Sequence, residues 1–389
     1  MLNVLKMQLR KWESPKGLTF SRPLVLLQSD DWGRVGVRDR EGFEELRAAG
    51  IALGQQPYDF YTLETAEDVC ALHETLLRHR DSVGRSPCVV MNFVVANLNF
   101  SKIKAQGFRN LDLQPLADGL PGAWHRPGLF DSYKAGIADG TFYPALHGMT
   151  HFCRSAVETE LRANQEAAEL LRTLWKSETP YIYWRMPWVG YEYWSPGQKQ
   201  FLSASHQESL IREGAELFAK MLGHRPLSAC APGYRANEDT YLAWRECGIR
   251  IAQNGSSGSL PVHIDRQDML KIFRNVDFEP ATAGEAFSLG QCLRRAQQNL
   301  DYGRPVVVSI HAINFHSSLR DFRTPTLKLL DQFLKALETR YPELLYLNDA
   351  DLYQLATQGT YDRLPPTVTV EVGQQGGIKP FRVAAGGGF

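Results

Sequence analysis

The sequence predicts a parallel α/β fold, and three observations carry that expectation. Short apolar runs rich in Val and Ile, each the length of one buried strand, recur at 24–27, 89–95, 227–231, 249–252, 272–276, 306–310 and 344–347. Amphipathic helical patterns with start and stop signals lie between them. No internal repeat or cysteine framework competes with this reading. Strands alternating with helices make either a barrel or an open doubly wound sheet.

The elements follow in chain order. Leu2, Val4, Leu5, Met7, Leu9 and Trp12, with basic residues among them, are expected to dock on the protein's own body rather than on a membrane surface. Ser155-x-x-Glu158 forms a capping box ahead of Leu161, Leu170, Leu171, Leu174 and Trp175. Ser205-x-x-Glu208 opens a second helix through Leu210, Ile211, Leu217, Phe218 and Met221, with Gly223 at its stop. Thr324-Pro325 is a cap and first-turn pair for a third helix, through Leu327, Leu330, Phe333, Leu334 and Leu337. The Gly-, Pro- and Asn-containing stretch 97–144 reads as long loops above one face. Residues 367–372 alternate like an edge strand, and the glycine-rich end is a tail. The expected division is an extension over 1–22, one α/β domain over 23–357, and a tail over 358–389.

Composition excludes several functions. The 389 residues can bury a large core, and 43% are hydrophobic against 22% charged. Lys+Arg and Asp+Glu are both 43, so no global field points to nucleic acid or an anionic membrane. No segment reaches the roughly 18 apolar residues of a membrane span. Lys6 and Arg10 interrupt the apolar start that a signal peptide would need, and Cys70, Cys88, Cys153, Cys230, Cys247 and Cys292 form no Cys-x-x-Cys pair. Reduced core cysteines and a cytoplasmic location are therefore expected. No Gly-rich phosphate loop is present.

The chemistry collects at strand ends. The run 24–27 continues through Gln28 and Ser29 into Asp30, Asp31, Trp32 and Gly33. Two adjacent carboxylates are costly to bury without cations, so they belong at a cleft, where one could bind a metal and the other move protons. A surface turn has the same Asp-Asp-Gly chemistry. His147-Gly148-Met149-Thr150-His151 brings two imidazoles within reach of one cation, although ten His in a chain this long supply roughly a quarter of such a pair by chance. Two imidazoles and one carboxylate leave coordination positions open for water and substrate, and Asp31 could complete that set. His311 ends the run 306–310, where α/β active sites are built, and is a candidate general acid. Ala231-Pro232-Gly233-Tyr234-Arg235 leaves another run and could bring a backbone donor and a cation to the site. Tyr181, Tyr183, Trp184, Trp188, Tyr191, Tyr193 and Trp194 crowd into one loop segment, where aromatic faces could stack on a sugar or on each other.

Together these stretches resemble the polysaccharide deacetylase family (carbohydrate esterase family 4) and its wider barrel relatives. Asp30-Asp31-Trp32-Gly33 is similar to the first motif, with Trp inserted before the Gly. His147 to His151 resemble the His-x-x-x-His second motif, Ala231 to Tyr234 the third, and Ile310-His311 the fifth. The resemblance implies a distorted (β/α) barrel of about seven parallel strands with long loop insertions over the active-site face. It implies Asp30 as base, Asp31, His147 and His151 as ligands of a divalent metal, zinc above others, and His311 as acid. Arg235 follows the Pro that the family's arginine precedes, and is expected to act on the base. Asp277 is the nearest match to a fourth motif. Trp32, Gly233, Tyr234, Trp188 and Trp194 are the expected substrate-binding residues.

The expected function is metal-dependent removal of an N- or O-acyl group, acetyl above others, from a sugar or glycan. The rivals are a glycoside hydrolase on a related barrel, using two carboxylates, and a carbohydrate-binding protein without turnover. The interrupted N-terminal pattern points to a nucleotide- or lipid-linked sugar over an extracellular polymer.

Overall fold

The structure, a computed structural model, describes residues 17–255, 260–360 and 372–374. The expected docking of residues 2–12 and the strand character of residues 367–371 lie outside those residues. The strands are, in chain order, β1 (Leu18–Phe20), β2 (Leu24–Trp32), β3 (Val89–Phe93), β4 (Ala96–Leu98), β5 (Leu113–Pro115), β6 (Phe142–Leu146), β7 (Trp194–Ser195) and β8 (Gln200–Phe201). They continue as β9 (Ser228–Cys230), β10 (Ile251–Asn254), β11 (His263–Ile264), β12 (Leu270–Phe273), β13 (Val276–Asp277), β14 (Val306–His311), β15 (Leu345–Tyr346) and β16 (Val372–Gln374).

The main sheet has ten strands in the order β11-β12-β10-β9-β6-β3-β2-β14-β13, with β15 also on β2. All its pairs are parallel except β11–β12. The parallel α/β class is therefore met. A closed sheet is not: among the described residues no ladder joins β12 to β13, so the hydrogen-bonded path stays open. The expected single run at 272–276 divides there. Arg274 N–H donates to the Asn254 carbonyl and Asn275 N–H to the Val307 carbonyl, so the chain changes partner between two consecutive residues.

Side chains alternate across a strand, and on β2 that alternation sorts two cores. Val25 and Leu27 join the large cluster beneath the helices, whereas Leu24 and Leu26 face inward with Ile251, Leu270, Ile272, Val307, Leu345 and Leu352. Two steps further along the same inner faces the residues turn polar. Gln28, Asp30, Asn92, Ser228, Gln253, Arg274 and Ser309 are all buried. They satisfy one another, as buried polar groups must. Gln28 donates to Asp349 at 2.8 Å, Gln253 donates to Asn92 at 2.8 Å and to Asp349 at 2.9 Å, and Arg274 donates to Gln28 at 3.2 Å.

Several local expectations shift. The stretch from Ser155 makes two helices, Arg154–Ala163 and Gln165–Lys176, because Asn164 caps the second by accepting from Ala167 N–H. The helix Ala204–Leu222 is capped by Ser203 and stopped by Gly223, and Arg323–Arg340 begins before Pro325. The stretch 97–144 is not mainly loop. It holds the β4–β5 hairpin, the helices Phe100–Ala105 and Leu129–Ala138, and β6. Pro144 disguised β6, since proline gives no ladder hydrogen bond, and β6 pairs with β9 only at Leu146↔Ala229. The six cysteines are free, and all but Cys70 are buried. Among the described residues no helix is long and apolar enough to cross a membrane.

Candidate metal and acid–base site

Asp30 and Asp31 end β2, and the β2–β3 register shifts between Ser29 and Trp32. Asp31 has a left-handed backbone (φ 78°), which breaks the alternation, so both carboxylates reach one cleft of about 330 Å³. His147, His151, Gly233, Tyr234 and His311 line the same cleft.

Asp31 Oδ1 lies 3.6 Å from His147 Nε2 and 3.2 Å from His151 Nε2, and this buried oxygen accepts no hydrogen bond. The other ring nitrogens are occupied. His147 Nδ1 donates to the Cys230 carbonyl at 2.9 Å, and His151 Nδ1 lies 2.9 Å from the Tyr181 hydroxyl. A hydrogen bond on one nitrogen leaves the other's lone pair aimed at a common point. Burial and the neighbouring Arg34 hold the His151 pKa well below the usual imidazole range, so the ring is neutral, as a ligand must be. Burial works to raise the Asp31 pKa, but Arg34 and the two imidazoles hold it well below the carboxylate range. Arg34 reaches Asp31 Oδ2 at 3.1 Å and the Tyr181 hydroxyl at 2.8 Å. One carboxylate and two imidazoles with ligand atoms all within 4.8 Å of one another suit a divalent cation, and the unpartnered Asp31 oxygen fits one. Asp30, His147 and Cys230 form a second such group, in which burial pushes the Cys230 thiol up and disfavours the thiolate.

Asp30 is held differently. Arg274 grips both its oxygens, at 2.6 Å and 2.7 Å, while Asn92 donates to Oδ1 at 2.7 Å and the Tyr234 hydroxyl to Oδ2 at 3.3 Å. Burial alone would raise its pKa; the bidentate Arg274 outweighs burial and keeps Asp30 ionised far below the usual range. His311 Nε2 stands 3.9 Å from Asp30 Oδ2, and its Nδ1 lies 2.6 Å from Glu279 Oε1. Burial works to lower the His311 pKa, but the Glu279 carboxylate pushes it up to about 9.

Some expected residues lie elsewhere. Arg235 is exposed, with its guanidinium over the Trp194 ring at 5.3 Å; the arginine on Asp30 is Arg274. Asp277 is half-exposed and pairs with Arg295 at 3.2 Å, whereas the carboxylate on His311 is Glu279, two residues on. Trp32 is fully buried and stacked 5.8 Å from Phe315, a core residue rather than a substrate contact. Trp188 packs against the large cluster and Trp194 against Phe201, so neither lines the cleft. Tyr181, Trp184 and Tyr191 do. The N–H groups of Tyr234 and Arg235 close turns on Ala231 and Pro232, so neither is aimed at an oxyanion.

Glu192 was hidden by the aromatics around it. Buried beneath the His-x-x-x-His turn, it accepts from Met149 N–H at 2.9 Å and 2.8 Å, and burial pushes its pKa up to about 8. Gly148 (φ 75°) admits this brace: a Cβ there would fall 1.8 Å from Glu192 Oε2. No pattern in the sequence marks Arg274 or Glu279, because each stands among other charged and polar residues (Lys271, Asn275, Asp277) with nothing in the spacing to single it out.

No protein-family model matches the chain. No curated protein matches it. The solved structures similar to it include members of carbohydrate esterase family 4, the family whose motifs the sequence resembles. A protein from Mycobacterium smegmatis assigned as a polysaccharide deacetylase aligns at TM-score 0.45 and 11% identity, over 91% of this chain and 96% of that one. A family 4 carbohydrate esterase from Streptomyces lividans aligns at TM-score 0.35 and 13% identity, over 83% and 90%. A pseudoenzyme of the same family from Bacillus anthracis aligns at TM-score 0.37 and 11% identity, over 85% and 66%. These are loose likenesses of fold.

Proposed function

We propose that the chain is a metal-dependent hydrolase that removes an acyl group, acetyl above others, from a sugar or glycan. The observation that supports this is the buried Asp31 oxygen, unpartnered between two imidazoles whose other nitrogens are tied down. A divalent metal, zinc suiting the donor set, would polarise the acyl carbonyl and lower a water's pKa from 15.7 toward ~7. In this reading Asp31, His147 and His151 hold it. Asp30 takes the water's proton on Oδ2, the oxygen that faces His311. His311 Nε2 delivers a proton to the departing amine or alcohol, and Glu279 keeps that nitrogen charged until then. In this reading the parallel sheet, open between β12 and β13, carries these residues at its strand ends.

A second reading, a sugar-binding protein without turnover, gains support from one fact. Both Asp30 oxygens are already engaged by Arg274. Metal stoichiometry and acetate release from N-acetylated and O-acetylated sugars separate the two. Bound metal with acetate release supports the hydrolase, and bound metal with sugar binding but no release supports the second reading. A protein that takes up no divalent metal excludes the first.

A further inference from the structure

We propose that the cleft accepts an acylated unit that stands alone or ends a chain, and rejects units inside a polymer. The reaction assumed is the deacylation proposed above; the claim about binding stands on the walls of the cleft. Two separate segments contribute to its walls, with Tyr58 on the first and Tyr181, Ile182 and Trp184 on the second. They are tied across the gap. Trp184 Nε1–H donates to Asp59 Oδ1 at 3.0 Å, and the Arg185 guanidinium reaches the Ala52 carbonyl. Deeper in, Arg34 joins the same segments, its guanidinium 4.1 Å from the Tyr61 ring centre while it donates to the Tyr181 hydroxyl at 2.8 Å.

The anchor is rigid. Asp59 is fully buried in the short helix Pro57–Phe60, and its second oxygen accepts from Gly54, Gln55 and Gln56 N–H at 2.9, 2.8 and 3.0 Å. The Trp184–Asp59 bond is therefore a fixed bar that makes the cleft blind on this side. A unit inside a polymer needs two exits, one for each neighbour, and the bar removes one. The volume of about 330 Å³ is at the small end of ligand clefts, ~300–1,000 Å³, enough for one ring with its acyl group.

The test uses the zinc-loaded full chain. The probes are a monosaccharide glycoside of N-acetylglucosamine and the β-1,4-linked hexamer, with deacetylated positions read by mass spectrometry. The expected result is loss of acetyl from the monosaccharide and from a terminal unit of the hexamer, with internal units slower by at least about tenfold. Trp184→Ala, checked for folding by thermal melting, should narrow that gap by removing the bar. Internal units processed as fast as terminal ones by the parent protein would overturn the proposal and leave the deacylase reading intact. If no probe loses acetate the deacylase reading fails, and calorimetric binding to the parent protein decides instead. Affinity unchanged from one sugar unit to six supports the blind side; affinity that climbs with length, or no binding of any probe, overturns it.

Discussion

Asp30 and Asp31 share a strand end but not an environment, so their substitutions should part company. Asp31 carries the oxygen shared by two imidazoles. Asp31→Asn should therefore purify with depleted metal and little activity. Asp30→Asn retains its shape but loses both the basic oxygen and the charge that compensates Arg274, so it should melt lower; in the folded protein metal content should be retained and most turnover lost. Metal analysis and initial rates of both variants check this, and equal metal loss would make the two carboxylates joint ligands. His311→Ala should lower turnover by ~10²–10⁴ with metal retained. The acid is the protonated ring, and a pKa of about 9 keeps it protonated below that pH, so activity should fall as pH rises through about 9. Glu279→Gln removes the group that opposes burial, and the alkaline limb of the rate profile should move to lower pH. A limb that stays in place assigns the acid to another group.

At the scale of elements, the His147–His151 turn depends on a brace from a distant loop. Glu192 holds Met149 N–H, and His151 itself has a left-handed backbone (φ 67°). Gly148→Ala adds a left-handed penalty of roughly 1–2 kcal/mol and drives a methyl into Glu192. It should lower both melting temperature and metal content. Parental metal content in that variant would show that the turn adapts. The strand ends that carry Asp30, Asp31 and His311 were legible because apolar runs announce strands, whereas His147 and His151 stood out only by their spacing, since Pro144 hid the strand before them. Arg274 and Glu279 were not legible, since each acts through a contact with a residue far away in the chain, Asp30 and His311, made only when the sheet is assembled. Trp188 and Trp194 show the reverse failure. An aromatic cluster signals burial, and only the fold says which rings face a cleft and which face the core. The division of the long helix at Asn164 was missed because its apolar spacing continues across the break.

For the whole molecule, the polar interior is the feature that carries most risk. Arg274 joins β12 to β13 and compensates Asp30, with both side chains essentially inaccessible to water. Removing one partner of such a pair strands a charge, at ~3–5 kcal/mol. Arg274→Met should therefore be strongly destabilising in urea. Adding Asp30→Asn to it should recover part of the loss, and the double-mutant cycle measures how much. Additive losses would mean that the pair is not the unit of stability.

β2 also sets a timetable. One of its flanks pairs with β3 (Val89–Phe93), which follows after the helices Arg40–Ala48 and Ala66–Leu77, but the other waits for Val306–His311 and Leu345–Tyr346. During synthesis this fully buried strand must therefore remain half-paired until nearly the whole chain has emerged from the ribosome. Nascent chains halted before residue 306 carry Asp31, His147 and His151 yet expose an open strand edge, the template on which other chains aggregate. Production of this protein should depend on chaperone capacity more than its final stability suggests.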